Sequence, residues 1–536
     1  MYPYLLYQDD FEVDNPLGSK AGADKISGVY LSFALLPDSK ISKLENIRTC
    51  CYTKSSDISH GNNSNFMPLI NVLKDLEEFG VNVPSRDGNI QVHLLLAAVT
   101  GDNLGLNSIL GFVKSFSANH FCRKCNCSKS VMQIQVKEDH TKLRNNENYS
   151  EAVDKNDVFE TGVKENCVFN IIKSFNIIDN VTCDIMHDIF EGIAHYELCD
   201  ILNYLIFKQK YFSLSLFNAR KRSFDYGPED NKNKTVDVKI QHIMKKKLKM
   251  SASEMKCFLH FLPLIIGDLV PTDNNVWIFL QLLLKLVETA LLPSFTETIL
   301  IEFRSLIAEH HQTYLNIFGG NLKPKHHFIL HYITTIKKLG PIKKLWSMRF
   351  EAKHKENKNY ANTITSRKNI LLSLAIKSNY QFAYNISLKT IFEKPLDTAC
   401  DEGTLINFTT YDAWTHIPCC KKNLCNFTHI FSLNVVLLNC TRYKIGTILA
   451  TRNDHKDVSV FEIRYIFLEN EENIFLVCIK LDILEIDSHI DCFVISQNND
   501  NISYDIIEVC DVTSPPLHLI HLPNEKVVVK LKTPFY

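Results

Sequence analysis

The sequence predicts a mixed α/β fold in three successive parts: a strand-rich beginning, a long helical middle and a β-rich end. β-branched and aromatic runs separated by turn residues fill the first hundred positions. Apolar residues then recur at helical spacing from about 181 to 339, and short β-rich runs return after 400. The 536 residues are 45% hydrophobic and 10% aromatic, which is enough for a large core and excludes a disordered chain.

The strand-rich beginning has the predicted order β-β-β-α-β. Its strands are expected at 2–7, 26–35, 47–52 and 90–99, with a helix over 66–79 before the last strand. The run IQVHLLLAAV at 90–99 is almost continuously apolar, as expected of a central strand buried on both faces. Asp9 follows the first strand and Asp102 follows the last one.

The rest of the chain divides by composition. Residues 126–180 are polar and charged, which predicts a loop or connector. Helical periodicity dominates afterwards and predicts helices over 185–207, 252–266, 276–292, 297–315, 326–339, 348–360 and 369–385. The predicted domain boundaries are 1–125, 126–180, 181–340, 341–395 and 400–536.

Charge and cysteine usage limit the protein class. The 59 Lys+Arg and 60 Asp+Glu residues give a net charge of −1, which argues against a non-specific nucleic-acid coat. The first residues lack the basic region of a signal peptide, and the most apolar stretch, 276–292, is interrupted by charged residues and is too short to span a membrane. Seventeen cysteines without a secretion signal favour reduced or metal-bound thiols. We therefore expect an intracellular protein that does not associate with membranes.

Two carboxylates follow predicted strands. If those strands are neighbours, Asp9 and Asp102 meet at one edge of the sheet, where converging carboxylates can bind a pair of Mg²⁺ ions. The alternative is that both are turn residues, a position that Asp favours.

Cysteine and histidine residues have metal-ligand spacing in two distant segments. Cys122 and Cys125 form half of a tetrahedral zinc site, and Cys127 could substitute for one of them. In LKPKHHFILHY, His326 or His327 lies about one helical turn from His331. Each half alone is explained equally well by a chance cysteine pair or by core histidines.

Other polar residues are ambiguous when they are taken singly. Asp184 and His187 place a carboxylate and an imidazole one turn apart on a predicted helix. The alternative is that Asp184 caps the helix and His187 is a core histidine. Glu351 lies on a basic helix and in isolation indicates a solvated ion pair. Lysine-rich segments at 245–249, 337–344 and 353–368 are candidate phosphate contacts, although solvated helix faces explain each of them as well.

Five blocks of sequence, taken in order, resemble the catalytic domain of the DDE/D cut-and-paste transposases. The resemblance is strongest to the animal En/Spm (CACTA) group, which is related to the Transib transposases and to the catalytic subunit of the V(D)J recombinase. It spans roughly residues 1–390. The blocks are YQDDFEVDNPLGSKAG, TGDNLGLNSILGFVKSFSANHFCRKC, CDIMHDIFEG, LKPKHHFILHY and GPIKKLWSMRFEAKH.

The resemblance implies a fold and a catalytic site. The fold is an RNase H-like mixed sheet interrupted by a large all-helical insertion and followed by a small all-β domain. The catalytic acids fall on Asp9, Asp102 and Glu351, with Asp10 as the alternative first acid. Two Mg²⁺ or Mn²⁺ ions are implied at these acids.

The resemblance also implies one structural Zn²⁺ and a supporting pair. Asp184 and His187 match a signature that several such superfamilies share, and we interpret them as structural support beside the acids. The implied zinc ligands are Cys122, Cys125, His326 and His331.

The implied function is phosphodiester hydrolysis followed by strand transfer from a DNA 3′-OH. Transposon ends and target DNA are the expected partners, the nucleus is the expected location, and a homodimer or larger assembly on DNA is expected. In relatives, DNA-binding modules commonly precede this core, whereas the first predicted strand here begins at Tyr2. The expectations therefore include a truncated or host-adopted copy. The alternatives are a non-catalytic DNA- or protein-interaction protein and an RNase H-like nuclease. The candidate DNA-backbone contacts are Lys343, Lys344, Lys353 and Lys355.

Overall fold

The computed structural model has a mixed α/β architecture, as the sequence predicts. The chain divides into two compact units: unit 1 comprises Met1–Asp200 and Phe279–Phe392, and unit 2 comprises Ile201–Ile278 and Glu393–Tyr536. No helix in the described part of the chain has the length and apolarity needed to cross a membrane. The structure describes residues 1–13, 25–41, 43–58, 61–364, 368–388, 398–399, 403–406, 430–438, 441–452, 457–469, 473–496, 504–509, 512 and 514–532.

The first strands along unit 1 are β1 (Tyr2–Glu12), β2 (Lys25–Phe33), β3 (Arg48–Lys54), β4 (Val81–Ser85), β5 (Gly88–Val92) and β6 (Leu94–Thr100). Four of them form a mixed sheet of order β3-β2-β1-β6. β1 pairs antiparallel with β2 and parallel with β6, and β2 pairs antiparallel with β3. The predicted β-β-β-α-β order is therefore confirmed for this sheet, because the helix Asn62–Glu78 lies between β3 and β6.

The exposed hairpin β4–β5 differs from the prediction, which places residues 90–92 at the start of the last strand. Val83 pairs with Ile90, and Gly88 has a φ of +115°, which favours glycine. β5 ends at Val92 and β6 begins at Leu94, so a single apolar run in the sequence is divided between two sheets.

The core of unit 1 lies between the sheet and the helix Asn62–Glu78. Phe66, Ile70 and Leu73 of that helix are buried against Tyr4 and Leu96 of the sheet. Their spacing of three to four residues places all three on one face of the helix. This packing fixes the sheet edge at which β1 and β6 end.

The segment 126–180 is ordered, although its composition predicts a loop. The polar residues that suggest a loop act here as helix caps: Asn145 and Asn148 form a reciprocal capping box, and Asp157 caps the helix Val158–Thr161. Tyr149 and Phe169 of the same segment are buried in the core. The segment therefore contains capped short helices as well as the irregular connections that its composition predicts.

The predicted helices of the middle region are present, with two interruptions. The helix expected from 185 begins as a π-helical segment, Met186–Ile193, in which Gly192 has non-helical dihedral angles. The helix expected at 326–339 is two helices that meet at His331. The helices along the chain are Asp38–Ile41, Ser55–Ile58, Asn62–Glu78, Asn103–Ile109, Lys129–Met132, Asn146–Lys155, Val158–Thr161, Met186–Ile193, Ala194–Leu202, Asn203–Lys208, Leu214–Ser223, Gly227–Asp230, Ile240–Met244, Ala252–Ile266, Asn275–Ala290, Glu297–Phe318, Pro324–Leu330, Tyr332–Leu339, Met348–Thr363 and Ile370–Ser387.

Unit 2 combines helices with the β-rich end of the chain. Trp277 Nε1 donates a hydrogen bond to the carbonyl oxygen of His489 (3.0 Å), and His489 Nε2 lies 2.9 Å from the carbonyl oxygen of Gly267. The β-rich segment therefore packs directly on helices of this unit. Its strands are Thr398–Ala399, Thr404–Ile406, Ile430–Leu433, Val435–Leu438, Thr441–Lys444, Ile448–Arg452, Val458–Glu469, Asn473–Leu481, Ile483–Asp487, Cys492–Ile495, Tyr504–Glu508, Ile520–His521 and Val527–Val529.

Candidate metal centres

Four buried side chains in unit 1 form a Cys₂His₂ group that could hold a metal ion such as zinc. Cys122 Sγ lies 3.4 Å from His331 Nε2, and Cys125 Sγ lies 3.2 Å from His327 Nε2. The two histidine Nε2 atoms are 3.2 Å apart, and the four ligand atoms lie within 4.8 Å of one another. A tetrahedral zinc ion with bonds of about 2.0–2.3 Å separates its ligands by roughly 3.3–3.8 Å, and the three distances of 3.2–3.4 Å are close to this range.

Local structure turns the two cysteines toward the group. The backbone N–H of Lys124 donates to Cys122 Sγ (3.3 Å), which is the turn that a Cys-x₂-Cys pair makes around a metal. The guanidinium of Arg144 donates to the carbonyl oxygen of Cys122 from Nε and Nη2, each at 3.3 Å. Phe121 and Phe328 pack around the group and exclude water.

Glu138 orients His331, and the sequence analysis did not identify it. Its Oε1 atom lies 2.6 Å from His331 Nδ1, which leaves His331 Nε2 facing the cysteines. Thr334 Oγ1 donates to the other carboxylate oxygen of Glu138 (2.5 Å). A carboxylate on the outer nitrogen of a histidine is a common second contact in zinc sites. Nothing in the sequence marks Glu138, because it lies 193 positions from its partner in a segment predicted to be a loop.

The predicted ligand His326 is replaced by His327, which corrects the predicted zinc set. Residues four apart on a helix lie about 40° apart around its axis, whereas residues five apart lie about 140° apart. His327 therefore shares a face with His331, and His326 points away. His326 Nε2 lies 2.9 Å from Glu197 Oε1, and its Nδ1 accepts a hydrogen bond from the backbone N–H of Lys323 (3.0 Å).

The parallel pairing of β1 and β6 places Asp9 and Asp102 at the same edge of the sheet. The register pairs Tyr7 with Thr100, and the two acids follow these residues by two positions each. Asp102 caps the helix Asn103–Ile109 and accepts a hydrogen bond from the backbone N–H of Gly105. The sequence predicts this juxtaposition if the two strands are neighbours, and they are.

Successive side chains of β1 point to opposite faces of the sheet, so Asp9 and Asp10 have different surroundings. Asp9 accepts a hydrogen bond from the Tyr7 hydroxyl (3.1 Å) and is partly buried, whereas Asp10 is exposed and accepts one from Gln8 (3.3 Å). Burial, and then the negative charges of Asp102 and Glu351, raise the pKa of Asp9 to about 7. Asp9 is therefore the residue of this pair that interacts with the other two acids.

Glu351 reaches this edge from the helix Met348–Thr363, called the Glu351 helix below. Phe350 stacks on Tyr7 of β1 with ring centroids 4.6 Å apart, which holds the first turn of the helix against the sheet. In the described part of the chain, the Cys₂His₂ group is the only set of three or more His, Cys, Asp or Glu side chains whose ligand atoms all lie within 4.8 Å. The three acids therefore lie near one another without forming a closed ligand set.

His187 holds Glu351 and is itself held by Asp184. Glu351 Oε1 lies 3.1 Å from His187 Nε2, and His187 Nδ1 lies 2.5 Å from Asp184 Oδ2. Burial would lower the pKa of His187, but the two carboxylates outweigh it and raise the pKa to about 11. His187 is therefore a cation at neutral pH.

Ser347, which precedes the Glu351 helix, is a further residue that the sequence analysis missed. Its hydroxyl donates to Asp184 Oδ2 (2.5 Å) and its backbone N–H donates to Asp184 Oδ1 (3.1 Å). Asp184 is fully buried, so these contacts and the contact with His187 compensate its charge. The pair Asp184 and His187 thus connects the π-helical segment to the start of the Glu351 helix.

The four candidate DNA-contact lysines have different environments. Lys343 and Lys344 line a cavity of about 240 Å³ beside Trp346, and Lys355 is exposed. The Lys353 side chain is only 10% exposed, lies 2.6 Å from Glu356 and donates to the carbonyl oxygen of Leu44 (3.2 Å). Lys353 is therefore less accessible to a phosphate than Lys355, because its charge is already paired and mostly buried.

No protein-family model matches the chain, and no curated protein matches it significantly.

Proposed function

We propose that this protein is a metal-dependent DNA transposase core with an RNase H-like sheet in unit 1. In this proposal it hydrolyses a phosphodiester bond and then transfers a DNA 3′-OH end to target DNA in the nucleus, assembled as a homodimer or larger complex on DNA. The observation that carries the proposal is the parallel register of β1 and β6, which brings Asp9 and Asp102 to one edge beside Glu351.

The acids fit divalent cations of the Mg²⁺ or Mn²⁺ class. All three offer hard oxygen donors, which these ions prefer. Burial, followed by the negative charges of Asp102 and Glu351, raises the pKa of Asp9, so bound positive charge would relieve an unfavourable interaction that the chain compensates only in part. When bound, such a metal pair activates the attacking hydroxyl and stabilises the leaving oxygen.

The neighbouring residues of the chain hold the acids in place. The Tyr7 hydroxyl and the backbone N–H of Asp10 donate to the two oxygens of Asp9 (3.1 and 2.7 Å). The backbone N–H of Gly105 fixes Asp102, and the His187 imidazolium fixes Glu351. Each acid is thus oriented by its own donor, which reduces the reorganisation that metal and DNA binding require.

A structural Zn²⁺ at the Cys₂His₂ group completes the proposal. The group joins the segment after β6 to the helices that precede the Glu351 helix, so an ion there would stabilise the placement of that helix. Binding of structural zinc contributes on the order of 10–16 kcal/mol in small peptides.

The test of catalysis is a nicking and strand-transfer assay with Mg²⁺ or Mn²⁺. Suitable substrates are candidate element ends and a precleaved duplex with a 3′-OH end. Asp102→Asn and Glu351→Gln should reduce both reactions by at least about 10³-fold if the acids hold the metals, as is typical of groups that act directly on the reacting atoms. Asp10→Asn is the matched control and should retain activity within a few-fold. Activity that is unchanged in Asp102→Asn would refute the proposal, and nicking without joining of the precleaved end would identify a nuclease.

A non-catalytic interaction protein is the second candidate. The observation that favours it is the ion pair between Glu351 and His187, which engages the third acid with a protein cation. Calorimetric titration with Mn²⁺ distinguishes the two candidates. Binding that Asp102→Asn abolishes supports the enzyme, whereas no binding to wild-type protein, with zinc retained, supports the interaction protein.

A further inference from the structure

Unit 2 carries a dense lysine cluster that the proposed catalytic site does not use. The segment 239–249 reads KIQHIMKKKLK and contains no carboxylate, although the whole chain has a net charge of −1. All five lysines are exposed. The lysine cluster consists of Lys239, Lys245, Lys246, Lys247 and Lys249.

The backbone presents this cluster on an anchored turn. The short helix Ile240–Met244 is followed by Lys246 in the left-handed region (φ 50°), and the backbone N–H of Lys247 donates to the carbonyl oxygen of His242 (3.0 Å). Ile243 and Leu248 are 3% and 1% exposed, so both sides of the turn are fixed by buried apolar side chains. The lysines therefore project from an ordered surface, and the entropy cost of ordering them on a ligand falls mainly on the side chains.

The electrostatic environment of His242 reports a positive local field. Burial, followed by the charges of Lys239, Lys249 and Lys221, lowers the pKa of His242. The neighbouring carboxylate of Asp237 is paired with Arg222 at 2.9 Å. Positive charge therefore predominates on this surface.

We propose that the lysine cluster binds the phosphate backbone of duplex DNA without sequence preference. Lysine ammonium groups act as point charges for phosphates, and phosphate contacts position a protein on DNA without reading its bases. An anionic membrane is the less suitable polyanion, because the five-residue helix Ile240–Met244 is too short to lie in a bilayer interface as an amphipathic helix. The choice of DNA as the partner rests on the proposed function, but it assigns DNA contacts to unit 2, whereas the acids belong to unit 1.

The test is the salt dependence of binding by the full-length protein. The probe is a fluorescent duplex of arbitrary sequence, and the variant is K245Q/K246Q/K247Q/K249Q. The matched control is K137Q/K142Q/K155Q/K164Q, which removes the same charge from exposed lysines of unit 1. The slope of log K against log salt is negative, and each lost phosphate contact reduces its magnitude by about 0.9. We therefore expect a slope that is less steep by about 2–4 and about 10–100-fold weaker binding near 0.1 M salt.

The control should bind within about three-fold of wild type, and circular dichroism should show that both variants are folded. Equal weakening of both variants would overturn the proposal, since net charge would then explain the effect, and so would unchanged binding in both. Binding of wild type to phosphatidylserine vesicles in preference to the duplex would overturn it in favour of a membrane. The quadruple lysine variant should bind Mn²⁺ in calorimetry like wild type, so failure of the acid site and failure of this surface are separately detectable.

Discussion

The Cys₂His₂ group and the acid cluster are two candidate metal sites in the same unit, and they are built in opposite ways. The Cys₂His₂ group has four buried ligand atoms in mutual contact range, surrounded by phenylalanine rings. The acids are partly exposed, and one of them is engaged by a protein cation. The first arrangement is typical of a structural site and the second of a site that stays open to substrate.

Charge distinguishes the two sites. In the Cys₂His₂ group, neighbouring groups act against the effect of burial: they lower the pKa of the Cys122 thiol and raise the pKa of His331 to about 9, so opposite charges attract there. In the acid cluster, burial and then the negative charges of Asp102 and Glu351 raise the pKa of Asp9, so like charges repel. Bound cations would therefore relieve a repulsion in the acid cluster that the thiol–imidazole group does not have.

The largest expected effect comes from breaking the Cys₂His₂ group. Cys122→Ser, or removal of metal by a chelator, should lower the free energy of unfolding by at least about 3 kcal/mol, because the group joins distant segments of unit 1. Thermal unfolding and elemental analysis of zinc measure this effect. Cys127→Ser is the control, since Cys127 is buried beside the group but is not one of its four members. Comparable losses of zinc in the two variants would contradict the assignment.

The next effect distinguishes the two adjacent histidines. His327→Ala should abolish zinc retention, whereas His326→Ala should retain zinc and lose about 1–3 kcal/mol of stability, because Glu197 loses a buried partner. Zinc content after gel filtration is the measurement. Zinc loss in His326→Ala with retention in His327→Ala would restore the set expected from the sequence.

Removing one carboxylate from the acid cluster should stabilise the protein, whereas breaking the Cys₂His₂ group should destabilise it. In protein free of divalent cations, Asp9→Asn should raise the free energy of unfolding by about 1–2 kcal/mol at pH 8, because it removes repulsion with Asp102 and Glu351. A raised carboxyl pKa destabilises the fold progressively as pH rises from the unfolded value toward 7, so the gain should shrink at pH 5. Denaturant unfolding at both pH values tests this, with Asp10→Asn as the control that should change little. A loss of stability in Asp9→Asn at pH 8 would contradict the expectation.

The smallest expected effect concerns Ser347. Ser347→Ala removes one of the hydrogen bonds to buried Asp184 and should cost about 1 kcal/mol. Ser305→Ala, which removes an exposed hydroxyl that bonds only within its own helix, should cost less than about 0.5 kcal/mol. Equal values from denaturant titration of both variants would show that the contact with Asp184 is not stabilising.

Local patterns predict most of the strands and helices, two of the three acids and the two cysteines of the Cys₂His₂ group. The apolar run before Asp102 predicts a buried strand, and the Cys-x₂-Cys spacing predicts half of a metal group; both are local signals. The choice between His326 and His327 was open in the sequence, because it depends on where the helix begins and which face meets the cysteines. Glu138 and Ser347 were not predictable, since each acts on a residue more than 160 positions away.

The Cys₂His₂ group also has a consequence for synthesis of the chain. Cys125 and its histidine neighbour His327 are separated by 202 positions. At about 5–20 residues per second, the cysteines leave the ribosome about 10–40 s before their histidines. During that interval the thiol pair lacks its partners and is open to oxidation or to capture of metal by two thiolates alone. Production of correctly assembled protein should therefore depend on a reducing environment and on the supply of zinc during translation.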